Sequence, residues 1–353
     1  MTDLSFYKGK TVLVTGHTGF KGSWLSEILF LAGAEVIGYS LEAPTNPSLF
    51  ELLGLKNRMT SIIGDIRDFK HLKDVFEKYQ PEIVLHLAAQ PIVRTSYEEP
   101  LYTYETNVLG TANLLECVRL SKSVRSVVNI TTDKVYLNND VPGHGFTEDE
   151  PLDGFDPYSN SKSCSELVTH SYKKSFFDAA GIAVSTARAG NVIGGGDFAK
   201  DRIVPDSVRA LGEHRAISVR NPNSTRPYQH VLEPLLAYLL IAEKQFKDMQ
   251  YAGYYNVGPD DCDCVTTGTL VTKLCSIWGG DATWEAICVD GPHEANFLKL
   301  DCSKMKKVFG WSPKTHIDEA LSMVCDWTKV YFTGSAQDVL LETRKEIKEF
   351  LSR

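Results

Sequence analysis

Short, nearly continuous apolar runs alternate with longer stretches of helical periodicity through the first half of the chain. The runs are Thr11–Thr15, Glu35–Tyr39, Ser61–Gly64, Ile83–Ala88, Ser126–Thr131 and Ala183–Arg188. They are rich in β-branched residues and lack the polar alternation of a half-solvated strand. This pattern predicts strands buried on both faces of a parallel sheet. Helical patterns lie between them, at Ser23–Leu31, Phe69–Lys78, Asn107–Ser121 and Tyr158–Ala180. Strand–helix alternation predicts a doubly wound α/β fold. Beyond about Gly190 the pattern becomes irregular. Gly194–Gly196, Arg220–Tyr228 and Tyr251–Pro259 read as loops and short strands, and a charged helix is expected from about Ser335. We therefore expect one domain over 1–190 and a smaller mixed α/β domain over 191–353, with the chain crossing back between them.

Composition narrows the function. The 353 residues are 43% hydrophobic and 23% charged, as in an ordinary globular protein. A formal net charge of −8 argues against nonspecific nucleic-acid binding, which needs phosphate-neutralising cations. It leaves room for a local basic pocket and a small anionic ligand. The eight cysteines are dispersed and form no C-x-x-C pair, so a zinc ribbon or redox motif is unsupported. His144, His170, His214, His293 and His316 show no metal-ligand spacing, and no metal is expected. No G-x-S-x-G elbow marks a hydrolase. The polar Met1–Lys10 stretch is no signal peptide, and no run approaches the roughly 18 apolar residues of a membrane span. The cytoplasm is the default expectation.

The strongest local signal is Thr11-Val-Leu-Val-Thr-Gly16-His17-Thr-Gly19-Phe20-Lys21-Gly22. It follows a predicted strand and opens a predicted helix, the context of a dinucleotide-binding loop. Gly16 permits a tight turn, Gly19 lets the backbone approach a pyrophosphate, and Gly22 allows close packing. The helix start then offers free amides to the phosphates. Lys21 precedes Gly22, which excludes a P-loop. A second signal is Tyr158-Ser-Asn-Ser-Lys162, just after Pro157. Spacing of four puts both side chains on one helix face. An ammonium and an oxidised nicotinamide beside a phenol favour phenolate, so the Tyr158 pKa is expected to fall towards neutrality. Such a phenolate can take a proton from a hydroxyl while hydride leaves the same carbon.

With its G-x-x-G-x-x-G spacing and Y-x-x-x-K pair, the chain resembles the extended branch of the short-chain dehydrogenase/reductase superfamily, a Rossmann-type fold. The resemblance implies an NAD-binding domain followed by a nucleotide-sugar domain. It implies that Asp65, beside Ile66, contacts adenine, that Leu87, Ala88 and Ala89 line the cofactor, and that Asn107 is the family's helix asparagine. Lys162 would also hold the nicotinamide ribose. The acid that usually binds ribose at the end of the second strand is missing. Ser40 stands there instead, and the lack of a nearby Arg favours NAD over NADP. His17 is bulkier than usual and is expected to loosen cofactor binding.

Thr131-Thr132-Asp133-Lys134 ends the fifth predicted strand, at the side where this fold binds ligand. An acid directly after the Thr resembles the nucleotide-sugar 4,6-dehydratases. A 4-ketone acidifies the C5 proton, and loss of the 6-hydroxyl needs a proton donor, for which Asp133 is the natural group. These enzymes generally follow the Asp with a Glu base. Lys134 replaces it here, as is typical of the branch acting on CDP-glucose. Further segments match that branch across nearly the whole chain. They include Pro44–Phe50, Gln90–Tyr97, Arg188–Asp197, Arg202–Pro205, Arg220–His230 and Glu294–Lys304. Arg202, Arg220 and Arg226 are candidates for a diphosphate clamp, since guanidinium pairs phosphate in a fork. Asn191 is a further phosphate candidate, and Gln90, Arg94, Ser96 and Tyr97 are candidates for the sugar pocket. The resemblance also implies a homodimer, built through helices near 100–120 and 158–178, and a role in making 3,6-dideoxyhexoses for bacterial surface polysaccharide. The rival reading is a nucleotide-sugar 4-epimerase, which needs Tyr158 and Lys162 but not Asp133.

Overall fold

The computed structural model describes residues 3–288 and 295–353. The predicted strands form as β1 (Thr11–Thr15), β2 (Glu35–Ser40), β3 (Thr60–Ile63), β4 (Ile83–His86), β5 (Ser126–Thr132) and β6 (Ala183–Ala189). Then come β7 (Asn191–Ile193), β8 (Ile217–Val219), β9 (Thr225–His230), β10 (Tyr254–Val257), β11 (Cys264–Thr266) and β12 (Trp284–Ala286). The main sheet has seven strands in the order β10-β6-β5-β4-β1-β2-β3. Every pairing in it is parallel. It is a doubly wound, Rossmann-type sheet.

Alternation of side chains along each strand feeds two cores. Val12, Val14, Ile83, Leu85, Val128 and Ile130 face one layer, packed with Trp24, Leu25 and Ile28 of the helix Phe20–Leu31 and with the helix Leu232–Lys247. Leu13, Val84, Val127 and Val184 face the other layer, with Leu72, Phe76, Leu114 and Phe177. Both faces are covered, so the strands read as continuous apolar runs.

The region after Gly190 is more regular than its pattern predicts. It holds the helices Ile203–Gly212, Leu232–Lys247, Thr267–Trp278, Ile317–Thr333 and Ala336–Leu351. Leu232–Lys247 escapes detection because it is buried on nearly every side, from Leu232 through Glu243, and so shows no polar face. The expected charged tail helix forms and is capped by a Ser335–Asp338 capping box. Two smaller sheets, β11-β9-β7 and β12-β8, stand beside the main one. Strand β10 leaves this region to join the main sheet next to β6. Trp24 also ties the regions together, its indole N–H donating to the Gly195 carbonyl at 2.9 Å. The segment before Ala295, including His293 and Glu294, lies outside the described residues. Among the described residues no helix is long and apolar enough to cross a membrane.

Candidate active site

The carboxyl end of β5 and the start of the helix Pro157–Tyr172 meet at one cavity. Asp156 caps that helix by accepting from the Ser159 amide at 3.0 Å, and Pro157 occupies its first turn. Tyr158 and Lys162 then project from one helical face towards β5. Lys162 Nζ donates to the Ile130 carbonyl at 3.2 Å. One turn further on, buried Glu166 is held by the Arg188 guanidinium at 2.9 Å and by the hydroxyls of Thr131 and Thr186. Thr132 donates to Asp133 Oδ1 at 3.0 Å, and Lys134 Nζ stands 3.6 Å from the same oxygen. Asp133 is 1% exposed, and its Oδ2 has no hydrogen-bond partner among the described residues. Gly190 leaves room beside that buried oxygen, since a Cβ there would lie 3.2 Å from it and 2.6 Å from Pro227.

Thr132, Asp133, Lys134, Tyr158 and Lys162 all line a cavity of about 750 Å³, within the usual range of ligand sites. Burial dominates its electrostatics. It pushes Lys162 down to about 8, against the opposing charge of Glu166. It pushes Lys21 down to about 7, helped by the Arg202 and Lys162 cations. It pushes the Tyr158 phenol up to about 12, against the Thr132 hydrogen bond and the Arg202 charge. Among the protein's own groups the expected fall of the Tyr158 pKa is not reached. Desolvation outweighs what the protein's own groups supply, and any reversal has to come from a cationic ring beside the phenol.

The glycine loop leads to the same cavity. Gly16 has φ +75°, and a Cβ there would meet the Ala88 amide at 2.8 Å. A Cβ on Gly22 would sit 2.0 Å from the Gly16 carbonyl oxygen, so that glycine closes the loop on itself. In front of Gly19 the space is open apart from the Gly16 oxygen at 3.5 Å. Gly19 is the N-cap of the helix Phe20–Leu31, whose first-turn amides lack partners within the helix. This open, amide-lined cradle fits a dinucleotide pyrophosphate. Lys21, Leu87 and Ala89 line the cavity beside it. Ser40 hydrogen-bonds the Thr18 hydroxyl at 2.8 Å, beside the loop. The Asp65 carboxylate is held low by Arg67, which also bridges to Glu105. Ile66 is buried against Gly110. His17 is fully buried beneath the loop, bonded to Ser61 Oγ at 2.7 Å, and burial lowers its pKa to about 4.

The structure separates the candidate sugar-nucleotide residues. Arg94, Asn191, Arg202, Arg220 and Arg226 line the cavity. Gln90, Ser96 and Tyr97 are not among its lining residues. The Gln90 amide bonds Thr103 and the Ile92 backbone, and Ser96 donates to the Val93 carbonyl. Asn107 brackets the Gln90 backbone, accepting from its N–H at 2.8 Å and donating to its carbonyl at 3.0 Å. Its amide also reaches Ser161 of the Tyr158 helix at 2.9 Å. Two acids were missed by the sequence reading. Asp201 stands 3.1 Å from Arg220 and 3.6 Å from Arg94, and Asp197 stands 3.3 Å from Arg202. Nothing in their local spacing marks them. Arg226 donates to the backbone carbonyls of Thr225 and Ala295.

Comparison with known proteins decides the family. The family model described as GDP-mannose 4,6 dehydratase matches residues 13–324. The chain belongs to this nucleotide-sugar dehydratase family. It is 48% identical to a CDP-glucose 4,6-dehydratase of Salmonella typhimurium, over 100% of this chain and 99% of that one. It is 25% identical to a dTDP-glucose 4,6-dehydratase of Haemophilus influenzae, over 90% of this chain and 97% of that one. Among solved structures, an NAD-bound dTDP-glucose 4,6-dehydratase of Streptomyces venezuelae superposes with a TM-score of 0.78 at 25% identity, covering 90% of this chain and 97% of that chain. A UDP-glucose 4-epimerase of Thermotoga maritima gives a TM-score of 0.80 at 23% identity, covering 91% and 99%, and shows the shared fold. In this chain the Thr132 hydroxyl, the Asp133 acid and the Lys134 amine at the end of β5 share one cavity with Tyr158 and Lys162.

Proposed function

We propose that the chain converts CDP-glucose to CDP-4-keto-6-deoxyglucose and water, as an NAD-dependent hydro-lyase. The observation that carries this reading is the convergence of Thr132, Asp133, Lys134, Tyr158 and Lys162 on one cavity. Full-length similarity to a CDP-glucose 4,6-dehydratase supports the choice of nucleotide. NAD, held by the Gly16–Gly22 loop beside Lys21, Leu87 and Ala89, would supply the acceptor for hydride from C4 of the sugar and its donor to C6. Tyr158 removes the O4 proton, and Thr132 hydrogen-bonds O4. Lys162 orients the ribose and supports the phenolate. Lys134, 3.6 Å from Asp133, takes the C5 proton that the 4-ketone has made acidic. Asp133 protonates the departing 6-hydroxyl, its unpartnered Oδ2 being free for that oxygen. Lys134 returns a proton to C5 as the hydride arrives at C6, so atoms balance: the 6-hydroxyl leaves as water and the hydride ends on the carbon that carried that hydroxyl.

Residues 1–190 hold the cofactor and 191–353 the sugar nucleotide in this reading, with β10 returned to the first region. Arg202 and Arg220 face the diphosphate, and Arg94 and Asn191 stand nearby. The enzyme acts in the cytoplasm and supplies a precursor of 3,6-dideoxyhexoses for surface polysaccharide. A homodimer is supported by exposed Leu101, Leu109, Leu167 and Phe176 on the helical segments near 100–120 and 158–178. The test supplies NAD⁺ with CDP-, dTDP-, UDP- and GDP-glucose in separate reactions. A 4-keto-6-deoxy product from CDP-glucose, at the highest kcat/KM, is expected. CDP-galactose as product, or a preference for another nucleotide, would overturn the reading.

A further inference from the structure

A second cluster of chemically capable side chains lies outside the cavity. The short helical turn Asp261–Asp263 meets the start of the helix Ile317–Thr333, more than 50 residues on. There, Cys262 Sγ is 3.4 Å from Asp263 Oδ2, His316 Nδ1 is 3.0 Å from the same oxygen, and the sulfur and nitrogen are 4.0 Å apart. None of the three lines the cavity described above.

We propose that Cys262, Asp263 and His316 form a three-ligand site for a zinc-class divalent cation, with the fourth coordination position open. Geometry and chemistry carry the proposal. Around a tetrahedral zinc ion, bond lengths of about 2.0–2.3 Å put nitrogen and oxygen ligands about 3.3 Å apart and sulfur about 3.6 Å from either. The observed 3.4, 3.0 and 4.0 Å edges lie within about 0.4 Å of those values. An ion pair between His316 and Asp263 would need no thiol. Here a thiol and an imidazole both approach a single carboxylate oxygen, and a divalent ion takes the place of the protons directed at it. The mixed thiolate, imidazole and carboxylate set matches zinc and its neighbours, not magnesium or calcium.

The carboxylate is already oriented. Asp263 is 4% exposed, and its other oxygen, Oδ1, accepts from the Ile317 amide at 2.9 Å. A ligand held from behind in this way is the usual arrangement around bound metals. Cys262 is exposed and the His316 side chain is largely so, which leaves an entry path and room for a water on the open side. Sequence spacing gave no hint, because the histidine comes from a distant segment that only the fold brings close.

The location gives the ion a task. The turn runs directly into β11, and β11 pairs antiparallel with β9, setting Val265 opposite Arg226. Strand β9 in turn pairs with β7, which carries Asn191. An ion clipping the turn to the long helix therefore braces the small sheet that carries both residues to the cavity wall.

The test uses the full chain, stripped with chelator and titrated with Co²⁺ as a spectroscopic probe, then with Zn²⁺ against a chromophoric competitor. One equivalent of Co²⁺ is expected to bind with a near-ultraviolet thiolate-to-metal charge-transfer band. C262S should abolish that band. H316Q should weaken Zn²⁺ binding by about ten-fold or more, since even an outer-shell partner is worth about 10- to 100-fold. Zn²⁺ should raise the melting temperature of the parent chain and leave that of C262S unmoved. Absence of the charge-transfer band at one equivalent of Co²⁺ would overturn the proposal, as would Zn²⁺ binding that C262S leaves intact. Both substitutions fall on exposed side chains, so folding is retained and the spectra remain interpretable.

Discussion

The floor and the rim of the cavity handle charge in opposite ways. At the floor, Asp133, Tyr158, Lys162 and Lys21 are desolvated, and burial is the largest cause of every shift resolved there. At the rim, Arg94, Arg202 and Arg220 keep about a third of their side chains in solvent and pair with Asp201 and Asp197. Desolvation brings Lys21 and Lys162 towards neutrality, whereas solvated, paired guanidiniums hold anions and stay charged. We propose that chemistry belongs to the floor and binding to the rim.

The contrast breaks most visibly if a floor residue behaves like a rim residue. Tyr158→Phe should lower kcat by about 10²- to 10⁴-fold with little change in KM, measured by steady-state product formation. A change confined to KM would move Tyr158 to the binding side. Asp133→Asn should cost net turnover by up to about 10²-fold more than it costs C4 oxidation. Stopped-flow absorbance of reduced nicotinamide separates the two steps. Equal loss of both would remove Asp133 from the role of acid.

At the rim, Arg220→Ala should raise KM by about ten-fold, the value of about one charge-assisted contact, and leave kcat nearly unchanged. The KM increase should shrink at high salt, where the parent's own phosphate contacts are screened.

Lys21 sharpens the comparison through pH. Its folded pKa is lowered to about 7 from an ordinary 10.5. Between these values the unfolded chain binds the extra proton, so stability rises with pH across that window. Below about pH 7 both states are protonated and the desolvation cost is fully present. Lys21→Met should therefore raise the melting temperature at pH 6, by on the order of two degrees per kcal/mol recovered, with the gain shrinking as pH rises above 7. Calorimetry across pH 6 to 9 checks this. The smallest effect is expected at His17, which lies buried beneath the cofactor loop. His17→Gly should tighten NAD binding by up to about ten-fold while lowering stability, because a buried ring leaves a cavity. An unchanged NAD dissociation constant would dismiss the loosening role.

What the sequence made legible follows the same divide. The six strands of the first region were readable because apolar runs and glycine spacing are local patterns. The Tyr158/Lys162 face was readable because four residues span one helical turn. The helix Leu232–Lys247 was not, since burial on all sides erases its period. Asn107 and Gln90 look like ligand residues in the resemblance, and the structure places their amides in the bracket between the loop after β4 and the Tyr158 helix. Asp197 and Asp201 matter only through arginines whose distance from them the fold sets. Cys262 and His316 are joined across more than 50 residues in the same way. Short-range chemistry can be read from spacing; pairing across the fold cannot.

In the proposed reaction one hydride leaves C4 and arrives at C6 of the same sugar while Tyr158, Asp133 and Lys134 move the protons. C4-deuterated CDP-glucose, incubated with the enzyme and NAD⁺ and followed by NMR and mass spectrometry, tests it directly. A 4-keto product carrying the deuterium at C6 is expected, with no net reduction of NAD. Deuterium retained at C4 in CDP-galactose, or lost to the free cofactor pool, would contradict it.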